Sequence, residues 1–294
     1  QDDDRAGKSG IESSREEVLR GLRGLNVQQL DTGEERKLSP ERGKDVQLTL
    51  DINLQARVQA AMSPELGLAV AQEWHGHENP TVPLGTPLNG AAVVLEVDSG
   101  DILALVSTPS ISRSRLLDHP EEFFEDPLNV EVDMPWLDRA IARPYPPGSI
   151  AKALILNGAV KLGKHSLDTH IDCTGHLFPD KPKMFRCWAL KQFQTTHTIQ
   201  LGHALSAPEA LMVSCNIYFF TLGQKLGPAD ITNTYAMFGL GQRWNLGVGV
   251  EYEGEIGERL PGGGKAPLAI QDAIQMGIGQ GPVAWTPLHA ADAY

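Results

Sequence analysis

The segment from Tyr145 to Lys152, Tyr-Pro-Pro-Gly-Ser-Ile-Ala-Lys, constrains the fold more than any other part of the chain. Two consecutive prolines and a glycine force a turn, because proline fixes φ, lacks an N–H group and restricts the residue before it. The residues that follow the glycine, 150–156, are almost all apolar and are typical of a buried helix. The sequence therefore predicts that Ser149 lies at the N-terminus of a buried helix.

Lys152 follows Ser149 at a spacing that places both side chains on one face of a helix. A serine hydroxyl is a weak nucleophile unless a neighbouring base takes its proton, and lysine can be that base only when it is neutral. Burial favours the neutral amine by lowering its pKa, and a helix N-terminus favours negative charge on an attacking oxygen. A bare Ser-x-x-Lys arises by chance in roughly one chain of this size in two. The prediction of Ser149 as nucleophile and Lys152 as base therefore depends on the turn before them and the helix after them.

A second motif, Ser214-Cys215-Asn216, follows an apolar helical stretch at residues 204–213. A serine hydroxyl beside the first pair can pass on a proton, and a carboxamide can hold a substrate amide. The alternative interpretation of this tripeptide is the start of a helix. Because it follows a Ser-x-x-Lys in the same chain, the sequence favours Ser214 and Asn216 as further site residues.

The formal net charge of the 294-residue chain is -12, which argues against a nucleic-acid partner. A protein that binds nucleic acid needs a basic surface to replace the counterions of the phosphates. The sequence has no run of Lys and Arg of that kind.

The order of predicted elements indicates a mixed α/β domain. Residues 46–50 alternate as a strand does, and either Asp51 or Asn53 can cap a helix at residues 54–62. Residues 91–97 and 102–107 read as a β-hairpin, and helical patterns dominate after Ser149. We therefore expect an antiparallel sheet with helices packed around it.

Together these motifs resemble those of the penicilloyl-serine transferase superfamily and, within it, the class B penicillin-binding proteins. Further segments match the family in order along the chain; they are residues 4–12, 48–55, 139–140, 145–149, 279–281 and 286–288. Phe185–Trp188 and the Tyr-Phe pair after Ser214–Asn216 are more similar to the elongation type than to the division type. The resemblance covers nearly the whole chain.

The resemblance implies the α/β penicillin-binding transpeptidase fold, an antiparallel sheet flanked by helices. Residues 1–45 would be a remnant of the non-catalytic pedestal region, and residues 46–294 would be the transpeptidase domain. The third motif of the family, K-[ST]-G, follows the Gly-Gln-Gly segment at 279–281, and the chain ends before reaching it. The resemblance therefore implies that the last strands are absent from this chain and that its active site is incomplete. Lys8-Ser9-Gly10 matches K-[ST]-G as text, but it precedes the nucleophile and lies in a polar segment.

The resemblance also implies a reaction, peptidoglycan cross-linking through a serine acyl-enzyme. Ser149 would attack the penultimate D-Ala carbonyl of a stem pentapeptide, and Lys152 would be the general base. Ser214 would relay a proton, and Asn216 would position the substrate. β-Lactam antibiotics would acylate the same serine, and catalysis would need no cofactor.

The partners and location implied by the resemblance are those of the elongation machinery. They are the peptidoglycan stem pentapeptide, β-lactams, a membrane glycosyltransferase of the SEDS family and proteins of the elongation complex, with no nucleic acid. The catalytic domain would lie in the periplasm, held at the inner membrane by an anchor outside this chain.

Two alternatives remain open from the sequence. The first is another acyl-serine enzyme, such as a D,D-carboxypeptidase, a class D β-lactamase or a β-lactam sensor domain. The region 1–45 and the long insertion at 163–200 argue against a compact β-lactamase. The second is a catalytically silent scaffold of the cell-wall machinery, against which the joint presence of both motifs speaks.

Three cysteines, Cys173, Cys187 and Cys215, share one window of the sequence with several histidines. In an extracytoplasmic protein the default expectation is a Cys173–Cys187 disulfide with Cys215 buried and free. The alternative is a structural Zn²⁺ held by the three cysteines and His203, since three thiolates and one imidazole suit tetrahedral zinc. Related elongation-type enzymes can carry a metal in this region. Both interpretations stay open from the sequence.

Overall fold

The computed structural model describes residues 6–63, 69–71, 83–110, 114, 118–119, 134–258 and 260–294. The chain divides into two compact units. The first unit consists of residues 1–89, 94–138 and 244–251, and the second of residues 90–93, 139–243 and 252–294. Both sequence motifs and all three cysteines belong to the second unit.

The first unit begins with short elements that pair locally. In chain order they are α1 (Gly10–Ser14), α2 (Glu16–Arg20), β1 (Gly21–Leu22), β2 (Leu25–Gln28), β3 (Glu35–Leu38) and β4 (Glu41–Arg42). Strand β1 pairs antiparallel with β4, and β2 pairs antiparallel with β3 in a register that places Leu25 opposite Leu38.

Helix α3 (Ile52–Ala61) is capped by Asp51, one of the two caps that the sequence offered, and begins two residues earlier than predicted. The Asp51 carboxylate accepts hydrogen bonds from the backbone N–H groups of Asn53 and Leu54, which would otherwise lack intrahelical partners. The predicted strand at residues 46–50 is wrong, because this segment has no strand pairing. It is attached through a side chain instead, since the Thr49 hydroxyl donates to the Ile102 carbonyl at 2.8 Å.

The predicted hairpin is confirmed as β5 (Gly90–Leu95) and β6 (Ile102–Thr108), which are hydrogen-bonded neighbours. Within the first unit the Glu96 N–H donates to the Asp101 carbonyl at 2.9 Å and closes the turn. The Gln55 amide of α3 pairs with the backbone of Leu105 through two hydrogen bonds of 2.8 Å each. This two-point contact fixes α3 against β6.

The second unit is mainly helical. Its elements are a 3₁₀ turn (Gly148–Ala151), α4 (Lys152–Lys161), α5 (Trp188–Phe193), α6 (His197–Leu201), α7 (Ala207–Met212), α8 (Asn216–Met237), β7 (Glu255–Ile256), α9 (Ile270–Met276), β8 (Val283–Ala284) and α10 (Pro287–Ala293). Helix α8 is kinked at Gly227, whose φ is +69°, and a proline follows it. Among the described residues, no helix combines the length and the apolar character needed to cross a membrane.

Helix α8 forms the centre of the second unit because glycines let its neighbours approach closely. A Cβ on Gly223 would lie 2.4 Å from the Ala273 carbonyl oxygen of α9, and a Cβ on Gly158 of α4 would lie 2.4 Å from Thr234 of α8. Large side chains then fill the space between the three helices; they include Ile155, Tyr218, Phe219, Leu222, Tyr235 and Ile274. Lys152, only 1% exposed, begins α4 inside this packing.

Candidate active site

The turn that carries Ser149 is held in place by the backbone of distant segments. The Gly148 N–H donates to the Gly279 carbonyl at 2.7 Å, and Tyr145 and Trp285 exchange two backbone hydrogen bonds of 2.8 and 3.0 Å. Gly279 has a φ of +68°, and a Cβ there would lie 2.2 Å from the Gly148 carbonyl oxygen. Only glycine fits this approach. The Gly-Gln-Gly segment therefore positions the turn that presents Ser149.

The Lys152 ammonium group lies at the centre of a buried hydrogen-bond network. Its Nζ donates to the Ser214 carbonyl at 2.8 Å, to the Ser214 hydroxyl at 2.9 Å and to Asn216 Oδ1 at 2.8 Å. Burial lowers the pKa of Lys152 to about 8, although charge on Cys215 and Cys187 acts in the opposite direction. A substantial fraction of this lysine is therefore neutral just above neutral pH, as a general base requires.

The Ser214 hydroxyl joins the two halves of the predicted site. Its Oγ lies 3.1 Å from Ser149 Oγ and 2.9 Å from Lys152 Nζ. The four site residues predicted from the sequence, Ser149, Lys152, Ser214 and Asn216, are thus brought together. The hydrogen bonds form a continuous chain from Ser149 through Ser214 to Lys152, along which a proton can pass.

The backbone of Ser214 adopts a conformation that is unusual for serine. Its φ is +48°, in the left-handed region, where it joins the end of α7 to the start of α8. Its carbonyl accepts a hydrogen bond from the Trp188 indole N–H at 3.0 Å in addition to the one from Lys152. Trp188 had no predicted role in the site, because nothing in its spacing from residue 214 indicates this contact.

Next to this network lies a buried cluster of three cysteines and one histidine: Cys173, Cys187, His197 and Cys215. Their candidate ligand atoms all lie within 4.8 Å of one another. The Nδ1 of His197 is 3.6 Å from Cys173 Sγ and 3.4 Å from Cys187 Sγ. A tetrahedral zinc ion with Zn–S of about 2.3 Å and Zn–N of about 2.0 Å has S···N edges of about 3.5 Å. The cluster therefore fits zinc in both its donor set and its size.

The structure corrects the predicted fourth member of this cluster. His203 lies outside it, with a side chain that is 56% exposed and an Nε2 that is 3.5 Å from the Glu209 carboxylate. His197 occupies the position instead, because it begins α6 with its ring turned into the core, 1% exposed. No spacing rule distinguishes the two histidines in the sequence. The expected Cys173–Cys187 disulfide is not formed, since all three thiols are free.

Hydrogen bonds among the thiols separate their pKa values. Cys173 and Cys215 lower the pKa of Cys187, and the same contacts with Cys173 and Cys187 raise the pKa of Cys215. The Nε2 of His197 is buried and has no hydrogen-bond partner among the described residues.

Comparisons with known proteins identify the family of the chain. The family described as penicillin binding protein transpeptidase domain matches residues 90–294. The peptidoglycan D,D-transpeptidase MrdA of Acinetobacter baumannii is 28% identical over 298 residues, which cover 98% of this chain and 39% of the relative. The chain therefore spans about two fifths of the length of this curated relative, and 40% of that of MrdA from Haemophilus influenzae.

Solved structures of the same kind share the fold. The structure of Pseudomonas aeruginosa PBP2 in complex with WCK 5153 matches with a TM-score of 0.70 and 24% identity, covering 98% of this chain and 56% of that one. The complex of PBP2 with MreC from Helicobacter pylori matches with a TM-score of 0.69 and 21% identity, covering 97% of this chain and 49% of that one.

These comparisons confirm the predicted α/β penicillin-binding transpeptidase fold and the resemblance to class B penicillin-binding proteins of the elongation type. The family match covers more than half of the chain. The chain belongs to the penicillin-binding protein transpeptidase domain family.

Proposed function

We propose that the chain is the catalytic part of a peptidoglycan D,D-transpeptidase of the elongation type, which cross-links stem peptides through an acyl-enzyme on Ser149. The observation that carries this proposal is the hydrogen-bond chain from Ser149 through Ser214 to the buried Lys152. MrdA relatives bear the name peptidoglycan D,D-transpeptidase, which supports the same reaction.

The acylation half of the reaction follows from the order of these hydrogen bonds. Ser149 Oγ attacks the carbonyl carbon of the penultimate D-Ala, its proton passes to Ser214 Oγ, and the Ser214 proton passes to neutral Lys152. The C–N bond then breaks, the terminal D-Ala leaves with the proton from Lys152, and an ester on Ser149 remains. A hydroxyl group can serve in both directions, because it rotates to donate or to accept.

The transfer half reverses these steps with a different amine. An amino group of a neighbouring stem peptide attacks the ester carbon and gives its proton to Lys152. The ester C–O bond breaks, and Ser149 recovers a proton through Ser214. We propose that Asn216 holds the stem peptide, since its Oδ1 is occupied by Lys152 and its NH₂ group is left to donate to a substrate carbonyl.

We further propose that Cys173, Cys187, His197 and Cys215 hold a structural zinc ion. A site with four protein ligands has no open position for water or substrate, so the metal would take no part in the reaction. When bound, it would supply cross-links among four separate segments of the second unit. Catalysis itself would need no cofactor.

The ligands, partners and cellular location that we propose for the chain are based on its relatives. Stem pentapeptides and β-lactams would bind at Ser149, and the catalytic unit would lie in the periplasm at the inner membrane. A SEDS-family glycosyltransferase and elongation-complex proteins would be the partners; the complex of H. pylori PBP2 with MreC is a precedent. Residues 1–45 would belong to the pedestal region and residues 46–294 to the transpeptidase domain.

Intact-protein mass spectrometry after incubation with a penicillin tests this proposal. It should be applied to this chain and to a version extended beyond Tyr294 through a K-[ST]-G segment. We expect a stable adduct on Ser149 in the extended chain and none in its Ser149→Ala variant. Acylation of the extended chain alone would indicate that the downstream strand completes the site.

Other outcomes would decide between the alternatives. Loss of the adduct within seconds would favour a β-lactamase, because a transpeptidase holds the penicilloyl ester far longer. If neither chain acylates, the catalytic interpretation is wrong and the scaffold interpretation replaces it.

A further inference from the structure

Trp188 lies outside both sequence motifs but contacts one of them directly. It begins α5 immediately after Cys187, and its indole N–H donates to the Ser214 carbonyl at 3.0 Å. Its ring is half-buried and meets the rings of Phe193 and His197 edge-on, with centroid distances of 5.9 and 5.2 Å. His197 is buried and Phe193 is 61% exposed, so the contact with His197 does most to fix the direction in which the N–H group points.

The carbonyl that Trp188 contacts belongs to a residue with an unusual backbone conformation. Ser214 has a φ of +48°, a conformation that a non-glycine residue keeps only when its surroundings determine it. Rotation of this backbone would move both the carbonyl and the hydroxyl of Ser214, and each of them contacts Lys152 Nζ. The Trp188 hydrogen bond therefore opposes a backbone rotation that would separate Ser214 from Lys152.

We propose that Trp188 is a positioning residue for the acylation step, acting through the Ser214 carbonyl. The indole N–H keeps Ser214 in its left-handed conformation, so that the Ser214 hydroxyl stays between Ser149 Oγ and Lys152 Nζ. This inference rests on the proposed acyl-serine function. It assigns Trp188 no contact with the substrate and no proton to carry.

The test compares two substitutions in the chain extended through K-[ST]-G. Trp188→Phe removes the N–H donor and keeps an aromatic ring, whereas Phe193→Leu disturbs the packing of that ring and keeps the N–H. Stopped-flow acylation by a chromogenic β-lactam separates the dissociation constant of the first, non-covalent complex from the acylation rate constant. We expect Trp188→Phe to lower the acylation rate constant about fivefold to tenfold, as for the loss of one hydrogen bond, with the dissociation constant within about twofold of the unmutated value. Phe193→Leu should change both values by less than about twofold.

A double-mutant cycle identifies the route of the effect. If Trp188 acts through Ser214, adding Trp188→Phe to Ser214→Ala should lower the acylation rate constant by less than about twofold further. Equal losses in Trp188→Phe and Phe193→Leu, a changed dissociation constant alone, or full additivity in the cycle would overturn the inference. Failure of the unmutated extended chain to acylate would reject the proposed function, whereas normal acylation by Trp188→Phe would reject only the role of Trp188.

Discussion

The Lys152 network and the cysteine cluster share one tripeptide, Ser214-Cys215-Asn216, but their buried polar atoms are satisfied differently. All three protons of the Lys152 ammonium group have oxygen acceptors within 2.9 Å. In the cluster, three thiols and His197 Nδ1 converge, with Nδ1 at 3.6 and 3.4 Å from the sulfur atoms of Cys173 and Cys187. Buried polar groups are nearly always hydrogen-bonded in native proteins. The donors of the network are therefore satisfied as the chain folds, whereas the cluster gathers four candidate metal-ligand atoms within 4.8 Å of one another.

One tripeptide therefore contributes side chains both to the Lys152 network and to the cysteine cluster. Ser214 and Asn216 turn towards Lys152, while the residue between them joins the cluster. Any substitution that loosens the cluster should therefore also disturb the Lys152 network, because Cys215 is bonded directly to Ser214 and Asn216. The converse need not hold, because the cluster has three further members outside the tripeptide.

Substitution of Lys152 should break the network most severely. We expect Lys152→Met to lower the acylation rate constant by about 10²- to 10⁴-fold, since it removes the proposed general base. The melting temperature should change by only a few degrees, because two effects on stability oppose each other. Removing the buried cation removes its desolvation cost, whereas the three oxygen acceptors lose their hydrogen-bond donor. Stopped-flow acylation and calorimetry on the extended chain measure the two effects.

Lys164→Met is the matched control for that change. Lys164 pairs with Asp230 at 3.1 Å, and its side chain is 46% exposed, so its removal should alter neither measurement appreciably. Acylation of Lys152→Met at a rate near the unmutated value would mean that another group takes the serine proton.

The turn that presents Ser149 should be the next most sensitive part of the site. Gly279→Ala places a Cβ 2.2 Å from the Gly148 carbonyl oxygen at a φ of +68°, so the turn must shift. We expect the acylation rate constant to fall by at least about tenfold, as is usual when a nucleophile is displaced by a fraction of an ångström.

Gly163→Ala is the control that distinguishes the steric contact between residues 279 and 148 from the backbone strain that alanine causes at a positive φ. Gly163 has a similar φ, +67°, but a Cβ there meets nothing within 4 Å. It should cost some stability through its conformation and leave the acylation rate unchanged. Equal effects of the two substitutions on acylation would show that the contact between Gly279 and Gly148 does not position the nucleophile.

The pH dependence of acylation tests the burial of Lys152. Its pKa is lowered to about 8, chiefly by burial, and the reaction needs the neutral amine. The rate should therefore rise with pH and level off above pH 8, with a gain of about tenfold between pH 7 and the plateau.

Binding of the β-lactam to Ser149→Ala over the same pH range controls for titration of the ligand. An apparent pKa near 10.5, the ordinary value for lysine, would mean that the site is far more open to water than its packing indicates.

Local features of the site could be predicted from the sequence, because helix geometry fixes them. Ser149 and Lys152 are one helical turn apart, so the Pro-Pro-Gly turn and the apolar run after it were enough to bring them together. The same holds for the cap of α3, which the sequence narrowed to Asp51 or Asn53 and which the Asp51 side chain forms within three residues of itself. In each case the interacting residues lie close in sequence, so the local backbone conformation determines their relative positions.

Features that depend on the path of long loops could not be predicted. His197 and His203 lie six positions apart in one segment, and only the fold decides which of them faces the cysteines. The contact between Trp188 and Ser214 spans 26 residues and ends on a backbone carbonyl, which no side-chain motif can indicate. The strand expected at residues 46–50 failed for a related reason, since alternation of apolar residues does not supply a strand to pair with.

The two histidines offer the finest test of the cluster. We expect the chain, prepared without chelators and with zinc supplied, to release one zinc ion per molecule on denaturation, and His203→Ala to release the same amount. His197→Ala should lose most of its zinc, because three thiolates alone bind the ion less tightly. Its melting temperature should fall by at least about 5 °C, while that of His203→Ala should hardly change.

Acylation should respond to the same substitution only weakly. Because Cys215 lies between Ser214 and Asn216, we expect His197→Ala to lower the acylation rate constant of the extended chain a few-fold, far less than Lys152→Met does. Retention of zinc by His197→Ala, or its loss from His203→Ala, would reject the ligand set drawn from the structure. A chain that carries no zinc and has three titratable thiols would leave the cluster as a packed set of free cysteines. In that case no metal would help to hold Ser214-Cys215-Asn216. The Lys152 network would then differ from the cluster only in that its contacts are hydrogen bonds, whereas those of the cluster are packing contacts.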